Sequence, residues 1–270
     1  MGITITKVGE TKANAPKRQP LHRHDFYYLL LLEKGAGSHT IDFEPHPVAD
    51  WTLFLMRPGQ VHEHELLPGS KGWLIAFQPE FYPVQKQSDQ VDRLNRLVQF
   101  NHFAIPEQSR DRVLEVVTQL ASELKKKEIG FEEVIRSYLN ILFTFLYRIP
   151  QEIGIPRPSE KRSRLHELQL LIEENLSEVK KVSDYADKMN LTVYQLNNIT
   201  KTTLGKTGSE FIADQIVLEA KRQLIASDIL VNQVAFNLGY LDPAYFIRFF
   251  KKQTGTTPGL FREQFFKSAG

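Results

Sequence analysis

The sequence predicts an α+β protein of two domains: a barrel or jelly roll of short strands followed by helices, then an all-α domain carrying two helix-turn-helix units. Three observations lead there. Between Phe26 and Gln78, short runs of β-forming residues alternate with turn residues. Between 149 and 163, prolines, a glycine and charges interrupt any apolar periodicity. Beyond that stretch, a block of the chain is written twice at a spacing of fifty residues.

The bulk properties set bounds. With 270 residues and 41% apolar composition, there is material for two cores. The formal charge of +2 does not by itself announce a polyanionic partner, because residues 1–159 carry nineteen basic and nineteen acidic side chains and residues 160–270 carry fifteen and thirteen. The excess is local: after Pro243 there are five basic residues and one acidic. The absence of cysteine excludes disulfides and thiolate metal sites and suits a reducing compartment. No apolar run reaches the length of a membrane span, and the polar first twenty residues lack the apolar core of a signal peptide, so a cytoplasmic location without membrane contact is expected.

In chain order, the candidate strands are Phe26–Leu32, Ser38–Phe43, Trp51–Met56, Val61–Leu66 and Trp73–Phe77. They are separated by Lys34-Gly35-Ala36-Gly37, Arg57-Pro58-Gly59-Gln60 and Pro68-Gly69-Ser70. Many short strands at even spacing suit a barrel or jelly roll. Seven of the eight histidines precede the break at 149, and His22 with His24, then His62 with His64, are spaced to put each pair on one strand face. Pro20 to Phe26 and Arg57 to His62 resemble the two motifs of a cupin barrel. Facing each other, such histidines can bind zinc, iron or nickel. The metal-binding cupin motif also has a glutamate a few residues past the first pair, where this chain reads Tyr27-Tyr28-Leu29. The set is therefore incomplete, and no metal or cofactor is assigned. The alternatives are that His22, His24, His62 and His64, with Tyr28 and Trp73, line a pocket for a small polar organic effector, or that they lie on the sheet surface.

Three helices are expected next, near Gln90–Phe100, Arg110–Lys127 and Phe131–Tyr147. In the last, Val134, Tyr138, Ile141 and Phe145 form a stripe that suits either a dimer contact or cover for the open side of the barrel. The segment 149–163, with Pro150, Gly154, Pro156 and Pro158, is read as a linker that cannot sustain a helix. The expected domains are thus 1–148, the linker, and 164–270.

The repeat carries the second domain. Leu196, Ile199, Lys201, Gly205, Thr207 and Phe211 pair with Phe246, Phe249, Lys251, Gly255, Thr257 and Phe261. Upstream, Ala186 pairs with Ala235 at an offset one residue shorter. In the second copy Val231, Val234, Ala235 and Leu238 recur at helical spacing, Gly239 supplies the turn, and Asp242 with Pro243 opens a new helix. Phe246, Phe249, Phe250 and Gln253 fall on one side of that helix, which is expected to face the core; Ala244, Ile247, Arg248 and Lys251 fall on another. In the first copy Val182, Tyr185, Ala186 and Met189 form the stripe, Asn190 takes the turn, Thr192 caps, and Tyr194, Asn197, Asn198 and Lys201 are expected outside. Arg suits guanine, Asn suits adenine, and Lys suits phosphate.

From Lys221-Arg222 through Val234-Ala235 and Gly239-Tyr240 to Phe246, Phe250, Lys251, Lys252, Gly255 and Pro258, the C-terminal hundred residues resemble the DNA-binding domain of the AraC/XylS family of bacterial transcription regulators, whose usual sensor is a cupin. The resemblance implies two helix-turn-helix units joined by a long helix, here about Gly208–Ala226, with two recognition helices in successive major grooves. It places Tyr194, Asn197, Asn198, Ala244, Tyr245 and Arg248 against bases and Thr192, Lys201, Lys251 and Lys252 against the backbone. Leu230 stands where the family often has a Ser or Thr cap. The function implied is a non-enzymatic, effector-controlled regulator of promoter DNA, acting as a homodimer, with RNA polymerase as partner if it activates. The alternative is a metal-dependent cupin enzyme or binder with an appended DNA module. A third option is a DNA binder whose barrel serves only assembly.

Overall fold

A computed structural model of the chain describes residues 2–9, 16–82, 89–152 and 159–269. It divides into two compact units, Met1–Pro156 and Arg157–Gly270. Gly154, Pro156 and Pro158 of the expected linker lie outside the described residues.

In the first unit nine strands form two antiparallel sheets among the described residues. They are β1 (Ile3–Val8), β2 (Lys17–Arg23), β3 (Tyr27–Lys34), β4 (Gly37–Ile41), β5 (Glu44–Val48), β6 (Thr52–Met56), β7 (Val61–Leu66), β8 (Lys71–Phe77) and β9 (His102–Ala104). One sheet runs β1-β8-β3-β6-β9 and the other β2-β7-β4-β5, the jelly-roll form of the expectation. Strand β3 explains the arrangement. Its run Tyr28-Leu29-Leu30-Leu31-Leu32 is buried at every position, which a strand needs only when both its faces are covered. Tyr28, Leu30 and Leu32 meet Phe54, Met56, Ile41, Val48 and Leu66 between the sheets. Leu29 and Leu31, with Leu53, Leu55, Trp73, Ile75 and Phe77, pack on the other side against helices. Those helices are α1 (Asp89–Leu97), α2 (Glu107–Lys126) and α3 (Phe131–Glu152), with a 3-10 turn at Val98–Phe100.

Strands β1, β2, β5 and β9 were not expected. Pro20 lies in β2 and Pro45 and Pro47 in β5; both strands are sheet edges, where a missing N–H forfeits no ladder bond on the open side. The β2–β7 register shifts between Gln19 and His22, which absorbs Pro20. Two further expectations are corrected. Helix α3 runs through Pro150 to Glu152, since a proline in the last turn removes a single backbone bond, and the next helix already starts at Glu160, so helix enters the expected linker from both ends. The face of α3 in the core is Ile135, Leu139, Leu142, Leu146 and Ile149, whereas Val134 and Ile141 of the expected stripe are 38% and 40% exposed.

The second unit contains α4 (Glu160–Asn175), α5 (Val182–Lys188), α6 (Val193–Leu204), α7 (Gly208–Ala226), α8 (Val231–Asn237), α9 (Pro243–Thr254) and α10 (Pro258–Ala269). The repeat is visible bond by bond. Asn190 and Gly239 both sit at positive φ, 54° and 74°. Leu191 N–H reaches Ala186 O and Tyr240 N–H reaches Ala235 O, both at 2.9 Å, closing the same six-to-one turn. Gly205 and Gly255, at φ 72° and 82°, end the two following helices by donating to Lys201 O and Lys251 O. Leu230 makes no side-chain cap, and neither does Lys181 at the matching place before α5.

Candidate nucleic-acid interface and histidine cluster

Helix α6 is started by Thr192, whose hydroxyl accepts from Gln195 N–H while Gln195 reaches back to Thr192 N–H. Leu196 and Ile199 turn into the core. The opposite face presents Tyr194, 81% exposed, together with Asn198 and Lys201. Asn197 departs from the expectation. It is half-buried, its Nδ2 donates to Val193 O at 3.0 Å, and its Oδ1 accepts from Gly208 N–H at 2.8 Å. Both ends of the amide are occupied in tying α6 to the first turn of α7, where a Cβ on Gly208 would meet Leu196 at 2.5 Å.

Helix α9 is started by Asp242, which accepts from Ala244 N–H at 2.8 Å. Phe246 and Phe250 are fully buried, and Phe249 is half-buried beside the Tyr240 ring. Gln253, expected on the core side, is exposed. Ala244, Tyr245, Arg248, Lys251 and Lys252 are all exposed, Tyr245 at 60%. The turn leading into this helix rests on the segment after α4: Lys180 Nζ donates to Leu238 O at 2.7 Å and lies 4.8 Å over the Tyr240 ring. The basic pair preceding it in sequence is divided. Arg222 is buried against Glu219, and Lys221 lies over Phe261 at 5.5 Å.

In the first unit, five of the six residues expected at the effector pocket come together. His22 pairs directly with His62 across β2–β7, and His24, Tyr28 and His64 surround them. Trp73 does not join them. Its register partner is Leu31, so it faces the helix side of the sheet, where with Lys7, Ile5, Ala121 and Leu124 it lines a groove of about 820 Å³. A histidine that sequence reasoning passed over joins instead. His39 pairs with His64 across β4–β7 and points between the sheets with Ile41; this was legible from the two-residue alternation once Ile41 was placed inside. The His46 and His102 rings lie nearby, tilted at 46° with centroids 4.4 Å apart, and His102 stacks on Phe54 at 5.8 Å.

The rings form a chain. His24 Nδ1 lies 3.1 Å from Phe26 O, His24 Nε2 lies 3.2 Å from His62 Nε2, and His62 Nδ1 lies 3.0 Å from His39 Nε2. Burial, the largest cause in each case, pushes His24 down to about 4, His39 to about 3 and His64 to about 4, and pushes His62 down too, with neighbouring imidazoles adding to it. At neutral pH these rings are uncharged, so each holds one N–H and one lone pair. No acidic side chain is buried among the described residues. Two sets, His22-His24-His62 and His39-His62-His64, bring one ring nitrogen from each member within 4.8 Å of the others. Gln60 pins the turn ahead of His62, accepting from Arg57 N–H and donating to Asp42 and Asn101.

Against known proteins, residues 185–264 match a helix-turn-helix domain profile and residues 10–83 match that of an AraC-like ligand binding domain. The chain is 24% identical over 251 residues to an uncharacterized HTH-type transcriptional regulator, YfiF, of Bacillus subtilis, covering 90% of this chain and 78% of that one. It is 24% identical over 256 residues to the HTH-type transcriptional activator RhaR of Mannheimia succiniciproducens, covering 92% and 88%. Among solved structures it is similar to ToxT from Vibrio cholerae, with 10% identity and a TM-score of 0.45 over 96% of each chain.

Proposed function

Because the chain belongs to the AraC/XylS family of transcription regulators, with a ligand-binding domain ahead of a paired helix-turn-helix domain, we propose that it reads promoter DNA through α6 and α9 under the control of a small molecule held by the β-sandwich. The observation that carries this reading is the exposed face shared by the two copies: Tyr194 and Asn198 on α6, Ala244, Tyr245 and Arg248 on α9, each above a buried face and below a helix end bearing lysine. These residues are assigned to base edges. Thr192, Lys201, Lys251 and Lys252 are assigned to phosphates. Asn197 is reassigned from base contact to holding α6 on α7.

Effector contact is assigned to His22, His24, Tyr28, His62 and His64, without Trp73. No catalytic step is assigned. The exposed Val134 and Ile141 on α3 support assembly as a homodimer. Relatives named RhaR and RhaS are called activators, and an activating role would make RNA polymerase a further partner. A cytoplasmic place of action is part of this reading; no helix among the described residues is long and apolar enough to cross a membrane.

Selection of bound DNA from a random pool, followed by footprinting, tests the reading. The expected result is an enriched sequence contacted in two major grooves about one helical turn apart. Arg248→Ala is expected to lose about 1–3 kcal/mol and relax preference at one base pair, while Lys251→Ala or Lys252→Ala weakens all sequences alike and lowers the salt slope. Unchanged preference in Arg248→Ala would show that α9 faces the DNA differently.

A further inference from the structure

The groove beside Trp73 has two walls, both in the first unit. One is β1, the edge strand of the five-stranded sheet, whose Ile5 and Lys7 stand in register with Ile75 and Trp73 of β8. The other is the second half of α2 and its cap, from Thr118 to Lys127. Ile3, Ile5, Trp73, Ala121 and Leu124 make the lining apolar, and its volume of about 820 Å³ is that of a small-molecule site. Lysine supplies all of its charge. Lys7, Lys125 and Lys127 line it, and no Asp or Glu does so among the described residues. Lys7 Nζ is held 5.3 Å from the centre of the Trp73 ring, which fixes one cation against the apolar lining. Three lysines close α2, as suits the negative end of a helix dipole, but Lys126 does not line the groove whereas Lys125 and Lys127 do. Lys127 caps the helix at φ 53° and ψ 44°, a left-handed conformation that glycine adopts at less cost. Lysine there adds a positive charge to the groove that glycine would not.

We propose that this groove binds a small amphipathic organic acid, its anionic head held by Lys125 and Lys127 and its apolar body resting on Ile5, Trp73, Ala121 and Leu124. An ammonium group is a compact point charge that meets a carboxylate without demanding a fixed fork of donors, and the lysine stems extend the apolar walls. An apolar lining that carries only positive charge favours a ligand with both characters. It selects against a cation through repulsion and against a neutral apolar molecule through the unmatched lysines. The groove lies on the helix side of its sheet, while the histidines lie between the sheets, so this site is separate from the effector contact assigned to them and does not depend on it.

Three probes share one apolar body and differ in the head: cyclohexylbutanoate, cyclohexylbutanol and cyclohexylbutylamine. Each is titrated into the full chain by calorimetry, and into Trp51→Phe, where Trp73 is the single fluorescent reporter. The expected result is one carboxylate bound per chain with a saturable change in Trp73 emission, weaker binding of the alcohol, no binding of the amine, and affinity that falls as salt is raised. Lys125→Gln and Lys127→Gln should each weaken the carboxylate roughly two- to fivefold, and Lys126→Gln should leave it unchanged. Lys125→Glu combined with Lys127→Glu should reverse the preference, taking the amine over the carboxylate, a gain that an unfolded variant cannot mimic. Equal affinity for carboxylate and alcohol overturns the proposal, as does a loss in Lys126→Gln that matches the loss in Lys125→Gln. Carboxylate binding that is abolished by His62→Gln but indifferent to both glutamates puts the ligand between the sheets and overturns it too. Absence of saturable carboxylate binding by either readout removes the site.

Discussion

Gly239 stands at two constraints at once, and substitution separates them. Its φ of +74° is a conformation that costs an L residue about 1–2 kcal/mol. A Cβ added there would also lie 1.7 Å from Ser177 O and 3.0 Å from Lys180 Nζ. Gly205 and Gly255 share the positive φ, at 72° and 82°, but a Cβ on either meets nothing within 4 Å. Gly205→Ala and Gly255→Ala should therefore lose only the dihedral cost. Gly239→Ala must in addition push away the Ser177–Lys180 segment, breaking the 2.7 Å bond from Lys180 to Leu238 O, for which about 1.5–3 kcal/mol is typical of a charged donor. Its stacking on Tyr240 contributes about 0.5–2 kcal/mol more. The total is roughly 3 kcal/mol or above, against about 1–2 for the controls. Helical circular dichroism during urea denaturation reads the loss. The two tryptophans, Trp51 and Trp73, lie in the first unit, and their fluorescence follows the sandwich separately. Gly239→Asn copies Asn190 of the first turn and relieves much of the dihedral cost, but not the collision, so it too should fall well below the controls. Equal losses for Gly239→Ala and Gly255→Ala would refute the packing of this turn on Ser177.

Asn197→Ala leaves Gly208 N–H without its acceptor and is expected to cost about 1–2 kcal/mol in urea denaturation while leaving the selected DNA sequence unchanged. Tyr194→Ala should do the reverse, altering stability by less than about 0.5 kcal/mol and weakening DNA binding in a gel-shift assay. Leu31→Ala, at a fully buried position on the helix side of β3, should lose about 2–5 kcal/mol, seen in the tryptophan fluorescence transition.

What could be read from the chain alone followed the strength of local signals. Helix α7 was expected at about Gly208–Ala226 from the family resemblance and lies there, opened by a capping box of Thr207 and Glu210. The two turns and the two glycine helix ends were legible as a repeat. Strand β5 was not, because Pro45 and Pro47 deny it the usual composition, and only its place at a sheet edge admits them. On α3 the period was right and the face wrong: apolar residues occur at 134, 135, 138, 139, 141 and 142, so two stripes compete and tertiary packing chooses. His39 and Trp73 changed places at the expected pocket for a related reason. Which sheet face a residue occupies follows from strand register, Leu31 opposite Trp73 and His64 opposite His39, and register was not on view in a single chain. Asn197 looked like a reader of bases because its type suits adenine, and its real partner lies eleven residues downstream.

That partnership has a counterpart in the second copy by its removal. At the offset of fifty, Asn197 corresponds to Ile247 and Gly208 to Pro258. In one copy a backbone donor is matched by a side-chain acceptor; in the other, proline has no donor to offer and isoleucine no acceptor to give. The two positions differ together between the copies, and each residue suits its own mate. A recognition helix moved from one copy to the other therefore carries an obligation at a residue that touches no base: Asn at 247 would arrive with its amide oxygen unmatched, and Ile at 197 would strand the N–H of Gly208.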